Sequence, residues 1–205
     1  MGNAQKTYLA LGDSYTICEG LNYEKTWPYH LSTFLTSNNV QVNPPTIIAK
    51  TGWRTDELIE AIDNELDEEQ FNVVSLLIGV NNEYQGKPFS KYQEELKTLI
   101  EVAIKRCITG SKGVFMLSIP DYGVTPFAVE KEKTEAIKTL KKYNSYAKKL
   151  CKTYNIAFYD ITKLSKKLSK NEDYLHDDKL HPNEKQYLAW IDSFKHELLE
   201  HLTNE

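Results

Sequence analysis

The sequence predicts an α/β protein built on a mostly parallel five-stranded sheet. Three observations carry that expectation. Five short, mostly apolar runs rich in branched residues recur along the chain, as strands covered on both faces do. Amphipathic helical patterns separate them, the alternation that gives a parallel sheet flanked by helices. The chemically distinctive residues fall just after these runs, where open α/β sheets bind their ligands.

The first run is 8–11, followed at once by Gly12-Asp13-Ser14. A helix is expected over 27–37, with Thr26 as its N-cap and Pro28 in its first turn. The second run, 46–49, leads to Gly52. A helix over 56–66 then follows Thr55, with Leu58, Ile59, Ile62 and Leu66 on one face. The third run, 73–78, ends before Asn81, and 90–107 carries Tyr92, Leu96, Leu99, Ile100 and Ala103 at helical spacing. The fourth, 114–119, precedes Asp121-Tyr122 and an irregular stretch, 120–129. One long helix is expected over 130–153, with Ile137, Leu140, Tyr143 and Leu150 as its stripe. The fifth run is 156–159. After a second irregular stretch, 171–182, the last helix follows Asn183-Glu184, with Tyr187, Ile191, Phe194 and Leu198 inward. There is no repeat, low-complexity tract or long linker, and 205 residues favour one domain spanning 1–205.

Composition excludes several classes of function. Apolar residues make up 40% and charged residues 26%, with a net charge of -4 and no basic patch interleaved with aromatics, which argues against a nucleic-acid partner. The lysines at 138–152 and 163–170 read as solvated helix faces. No apolar run approaches the ~20 residues of a membrane span. The first six residues are polar and show no signal peptide. The sequence as it stands therefore points to the cytoplasm, or to export if a leader has been removed. Met1-Gly2 begins like an acylation site, but Lys6 occupies the Ser/Thr position. Cys18, Cys107 and Cys151 form neither a CxxC motif nor an even set, and are expected as free or buried thiols. No His, Cys or carboxylate cluster has metal-ligand spacing, so neither a metal nor another cofactor is expected. His30 reads as a partly buried histidine, His176 as solvated or at a pocket rim, and His196 and His201 as residues of a polar helix face.

Ser14 at a strand's carboxyl end, with Asp178 three residues before His181, supplies the parts of a Ser-His-Asp hydrolase. Serine is a poor nucleophile until a base takes its proton, and histidine, with an unperturbed pKa near ~6.5, suits that task. Asp178 can approach the imidazole within one turn, and Pro182 stiffens the exit. Asp177 is one residue out of register. Read alone, Gly12-Asp13-Ser14 is equally a tight strand-to-helix turn, Gly52 a turn glycine, and Asn81-Asn82 a loop cap.

The ordered set resembles the SGNH, or GDSL, hydrolase family. Gly12-Asp13-Ser14-Tyr15-Thr16 matches the block that carries the nucleophile. Lys50-Thr51-Gly52-Trp53 matches the block whose glycine amide serves the oxyanion hole. Ile78-Gly79-Val80-Asn81-Asn82 matches the block whose asparagine does the same, and Asp178-Lys179-Leu180-His181-Pro182 matches the last. The segments 83–86 and 119–128 look like lysophospholipase-like members. The resemblance implies a three-layer α/β/α sandwich of flavodoxin-like SGNH type, catalysis by Ser14, His181 and Asp178, and an oxyanion hole made by Ser14, Gly52 and Asn81. It implies a serine esterase acting through an acyl-enzyme on small esters: short-chain acyl esters, acetylated sugars or lysophospholipids. Acyl transfer to an alcohol and a catalytically silent binding module are the alternatives. Two positions depart from the pattern. Asn82 stands where an aspartate is usual, which bears on the support of the Asn81 loop. Cys18 replaces a small residue and is expected at the pocket floor. Arg54, Tyr84, Tyr122 and Phe127 follow strand ends, as pocket residues or as surface and loop packing.

Overall fold

The computed structural model describes residues 5–203, and five strands form its centre. They are β1 (Tyr8–Asp13), β2 (Thr46–Lys50), β3 (Val73–Leu77), β4 (Val114–Leu117) and β5 (Ala157–Tyr159). They lie in the order β2-β1-β3-β4-β5, and every pairing between them is parallel. The leader and acylation readings of residues 1–4 lie outside the described residues. The central strands β1, β3 and β4 are buried throughout. The edge strand β2 is partly exposed, because only one neighbour covers it.

Helices cover both faces. Period-2 alternation along β4 shows the division: Phe115 packs on Trp27 and Phe194, whereas the Met116 sulfur meets the Cys151 thiol at 3.8 Å. The first face holds α2 (Trp27–Ser37), α9 (Glu184–Asp192) and α10 (Lys195–Thr203). The second holds α3 (Thr55–Glu65), α5 (Phe89–Arg106) and α7 (Ala136–Tyr154). Short helices α1 (Ser14–Ile17), α4 (Val80–Tyr84), α6 (Pro126–Glu130) and α8 (Thr162–Leu168) follow strand ends or link the longer ones.

Four features differ from the sequence expectation. Thr26 precedes α2 but makes no side-chain cap, because its hydroxyl donates to the Tyr23 carbonyl, and Arg54 rather than Thr55 is the residue before α3. The helix expected over 130–153 begins only at Ala136, and a separate short helix, α6, occupies the end of the stretch expected to be irregular and stops at Glu130. Thr125 caps α6 by accepting from the Ala128 amide, and Glu132, at φ 54°, stops the chain before α7 begins. The last helix also breaks at Ser193, whose hydroxyl donates to the Trp190 carbonyl at 2.6 Å. That break turns Phe194 onto Tyr159, with ring centroids 4.9 Å apart.

The chain leaves β1 toward β2 on one side and returns through β3 to β4 and β5 on the other. The crevice between β1 and β3 is therefore the topological switch point, and Ser14 and Asn81 both emerge there. Gly12, paired with Leu77 in β3, is needed for this close approach. A Cβ there would fall 2.4 Å from the Leu77 carbonyl oxygen and 2.0 Å from the Thr16 hydroxyl.

Candidate active site

Ser14 stands where β1 turns directly into α1. Asp13 makes the turn, its Oδ1 accepting from the Tyr15 amide at 3.0 Å. Burial pushes the Asp13 carboxyl up to about 7, and its Oδ2 has no hydrogen-bond partner among the described residues. The second component comes from 175–182. Leu175 bridges Pro182 in antiparallel fashion, and the His176 amide donates to the His181 carbonyl at 2.8 Å, closing the segment into a tight loop. Within it Asp178 Oδ1 accepts from the Leu180 and His181 amides, both at 2.9 Å. Lys179 takes a left-handed φ of 58° to allow this.

The remaining oxygen, Asp178 Oδ2, lies 2.5 Å from His181 Nδ1, and His181 Nε2 lies 2.9 Å from Ser14 Oγ. The line from carboxylate to hydroxyl is continuous although Ser14 and His181 are 167 residues apart. Partial burial opposes ionisation of Asp178, but the His181 ring and the two amides outweigh it and hold the carboxyl down at about 2. An ionised carboxylate can only accept, so Nδ1 carries a proton, and in the neutral imidazole Nε2 then presents its lone pair to the Ser14 hydroxyl. The Tyr15 ring meets the imidazole edge-on at 5.6 Å, and Ser14 and His181 are both buried.

Gly52 and Asn81 come to the same cavity. Gly52 has φ 85°, and a Cβ there would meet nothing within 4 Å, so the glycine is required by backbone conformation and not by crowding. Its carbonyl accepts from Gln85 Nε2 at 3.0 Å. One hydrogen of the Asn81 amide goes to the Trp53 carbonyl at 3.0 Å, which leaves the second unassigned. Ser14, Gly52, Asn81 and His181 thus line a cavity of about 150 Å³, with walls of Tyr15, Val80, Tyr84, Tyr122, Phe127 and Leu180. Tyr84 stacks edge-on against Tyr122 at 5.9 Å and tilts against Phe127 at 6.4 Å. The Tyr122 hydroxyl donates to Glu83 at 2.8 Å.

Several expected positions lie elsewhere. Arg54 is outside this cavity: its guanidinium forks onto both Asp56 oxygens at 3.0 Å and reaches Gln85 at 2.8 Å. Cys18 is not at the pocket floor. Its left-handed φ of 56° ends α1 and turns the thiol beneath, where Sγ accepts from the Trp27 amide at 3.3 Å. Asn82 points away from the cavity to Thr55, and Asp177 is exposed. His30 pairs with Glu184 at 3.1 Å, and His201 meets the Lys112 carbonyl. The cysteines are free and buried. Tyr15, Thr51, Val80 and Leu180 join the site without having been singled out. Each lies inside one of the four motif blocks, beside a residue given a role, and that adjacency was the available signal. No helix among the described residues is long and apolar enough to cross a membrane.

The profile of the GDSL-like Lipase/Acylhydrolase family matches residues 10–189 of this chain. Among solved structures, the psychrotrophic esterase EstA from Pseudoalteromonas sp., in a form inhibited by monoethylphosphonate, superposes with a TM-score of 0.74 at 18% identity. The match covers 98% of this chain and 100% of that one. The acetylxylan esterase Axe2 from Geobacillus stearothermophilus gives 0.72 at 16% identity, over 98% and 95%. A lipolytic protein of the G-D-S-L family from Veillonella parvula gives 0.72 at 17%, over 92% and 95%. At these identities the likeness is one of fold. No curated protein matches the chain.

Proposed function

Because this chain belongs to the GDSL-like lipase/acylhydrolase family, we propose that it hydrolyses small carboxylic esters through an acyl-enzyme on Ser14. The observation that carries the proposal is the unbroken line from Asp178 through His181 to Ser14 at the cavity wall. In this reading His181 Nε2 takes the Ser14 proton as Oγ attacks the ester carbon. Asp178 holds the tautomer and supports the imidazolium that forms. The Ser14 and Gly52 amides and the Asn81 side chain face the oxygen on which charge develops. One such donor is worth roughly 3–4 kcal/mol in the transition state. Collapse expels the alcohol, which takes the proton from His181, and water then repeats the sequence to release the acid.

The cavity bears on the substrate. At about 150 Å³ it is the size of a space that holds one benzene molecule, and Val80, Tyr84, Tyr122, Phe127 and Leu180 make it apolar. Acetyl and butyryl groups fit within such a space, whereas a palmitoyl chain would extend beyond it. The decisive experiment is hydrolysis of a chromogenic acetate ester by the wild type and by Ser14→Ala. A fluorophosphonate probe then maps the labelled residue by mass spectrometry. Activity lost in the variant with Ser14 alone labelled supports the proposal; turnover surviving in Ser14→Ala overturns it.

A further inference from the structure

Asn82 neighbours the oxyanion asparagine yet does not touch the cavity. It is buried, and so is Thr55, its partner on α3. The Thr55 amide donates to Asn82 Oδ1 at 3.1 Å, and Asn82 Nδ2 lies 2.6 Å from Thr55 Oγ1. A backbone amide can only donate, so the side-chain orientation is fixed: the oxygen faces the amide and Nδ2 must donate to the hydroxyl. Thr55 Oγ1 therefore keeps its own single proton for another acceptor. That acceptor is Glu95 on α5, whose Oε2 lies 2.5 Å away. Each of these three contacts thus pairs one donor with one acceptor.

The contact joins the two segments that carry the oxyanion donors. Thr55 lies three residues after Gly52, and Asn82 follows Asn81 on α4. The bonds from Asn81 to the Trp53 carbonyl and from Gln85 to the Gly52 carbonyl lie alongside. Resting on the esterase reading above, we infer that Asn82, Thr55 and Glu95 form a positioning relay for the oxyanion hole, whose polarity is set by Glu95. With a carboxylate at 95, residue 82 must be an amide. An aspartate at 82 would claim the Thr55 proton for itself and leave Glu95 Oε2 against a hydroxyl oxygen with nothing to donate. The opposite polarity, an aspartate at 82 with a glutamine at 95, closes again: the glutamine donates to Thr55, and Thr55 donates to the aspartate.

The test compares N82D, E95Q and N82D/E95Q with the wild type on the same acetate ester, from about pH 5.5 to about pH 9, a range that spans the histidine midpoint. N82D is expected to lower kcat about tenfold at neutral pH with little change in KM. Its kcat relative to wild type rises as pH falls, because one of two crowded carboxyls then takes up the missing proton. The other charged groups around this cleft, Arg54, Asp56 and Glu57 from α3 and its approach, and Lys87 and Lys91 before and on α5, are common to all four proteins. The double variant is expected to recover kcat to within about threefold of E95Q and to flatten the ratio. A merely structural role would move Tm but not this pH dependence. N82D with wild-type kcat, or a double variant no better than N82D, overturns the relay. If N82D does not fold, folding and turnover by N82D/E95Q support it, and failure of both overturns it. A wild type that turns over no ester overturns the functional reading instead. The hydrogen-bond polarity of the Asn82–Thr55–Glu95 chain is then read from Tm in the same four proteins, where rescue supports it and additivity overturns it.

Discussion

Replacing Asp178 by asparagine should harm the enzyme more than replacing it by alanine. Asp178 Oδ1 accepts from the Leu180 and His181 amides, and both are obligatory donors. Asparagine must turn its one oxygen toward them, which places Nδ2 against His181 Nδ1, where the carboxylate oxygen now lies 2.5 Å away. The imidazole then answers with a lone pair on Nδ1 and a hydrogen on Nε2. That tautomer cannot take the Ser14 proton. Restoring the productive tautomer would forfeit a charge-assisted bond of about 1.5–3 kcal/mol and set N–H against N–H at roughly 1–3 kcal/mol more. Together these correspond to a loss of about 10²–10⁴ in kcat. Alanine imposes no tautomer. The Asp178 side chain is 38% exposed, so water can reach the amides and the ring in its place. Asp178→Ala should therefore lose the charge support and keep the better activity of the two. The assay is kcat for a chromogenic acetate ester, checked by the rate of fluorophosphonate labelling of Ser14. Asp178→Asn at or above the activity of Asp178→Ala would refute the tautomer argument.

Three further outcomes are expected. Asn81→Ala should lower kcat by about 10²-fold or more while KM changes little, since its donor acts on charge present only in the transition state; a loss confined to KM would place Asn81 in ground-state binding. Asp13 should make stability fall with rising pH. Its folded-state carboxyl, at about 7, binds a proton more tightly than the unfolded chain's 3.8, so the native state holds more protons across that window and loses stability through it. The full penalty, on the order of 4 kcal/mol, is reached above the folded value. Relative to wild type, Asp13→Asn should gain stability between about pH 4 and pH 7 in urea denaturation, and parallel pH curves would contradict the buried acid. In an ester series, kcat/KM should fall from acetate and butyrate to palmitate, and Phe127→Ala should shift the optimum to longer chains. A steady climb to palmitate in the wild type would show that an apolar channel continues beyond Phe127.

The strand ends were legible in the sequence because an apolar run that stops at a small or polar residue leaves few other readings. The Asp178–His181 spacing was legible for the same local reason: three residues span one turn. What the sequence hid was governed by contacts distant along the chain. The break before α7 depends on Glu132 adopting a left-handed conformation, which no periodicity encodes. The break at Ser193 serves a stack between Phe194 and Tyr159, from opposite ends of the β5-to-α10 stretch. Gly52 was recognisable as a site glycine, but the reason for it, a positive φ in open space, is visible only in the backbone. The partner of Asn82, Thr55, lies 27 residues earlier, and Thr55 in turn reaches 40 residues on to Glu95. The departure at 82 therefore acquires meaning only once α3, α4 and α5 meet.

On the esterase reading, the 167-residue separation of Ser14 and His181 gives the chain a built-in order of events. Ser14 leaves the ribosome before His181, the base proposed for it. Between them come four of the five strands of a parallel sheet whose pairings are all non-local and therefore slow to form. Until the 175–182 loop docks against β1, the serine is an ordinary alcohol. Onset of hydrolysis during refolding is thus a clock for the last long-range contact, and it should trail the recovery of helical signal. On the esterase reading, a partly made or partly unfolded chain would carry no activated serine with which to trap stray acyl groups.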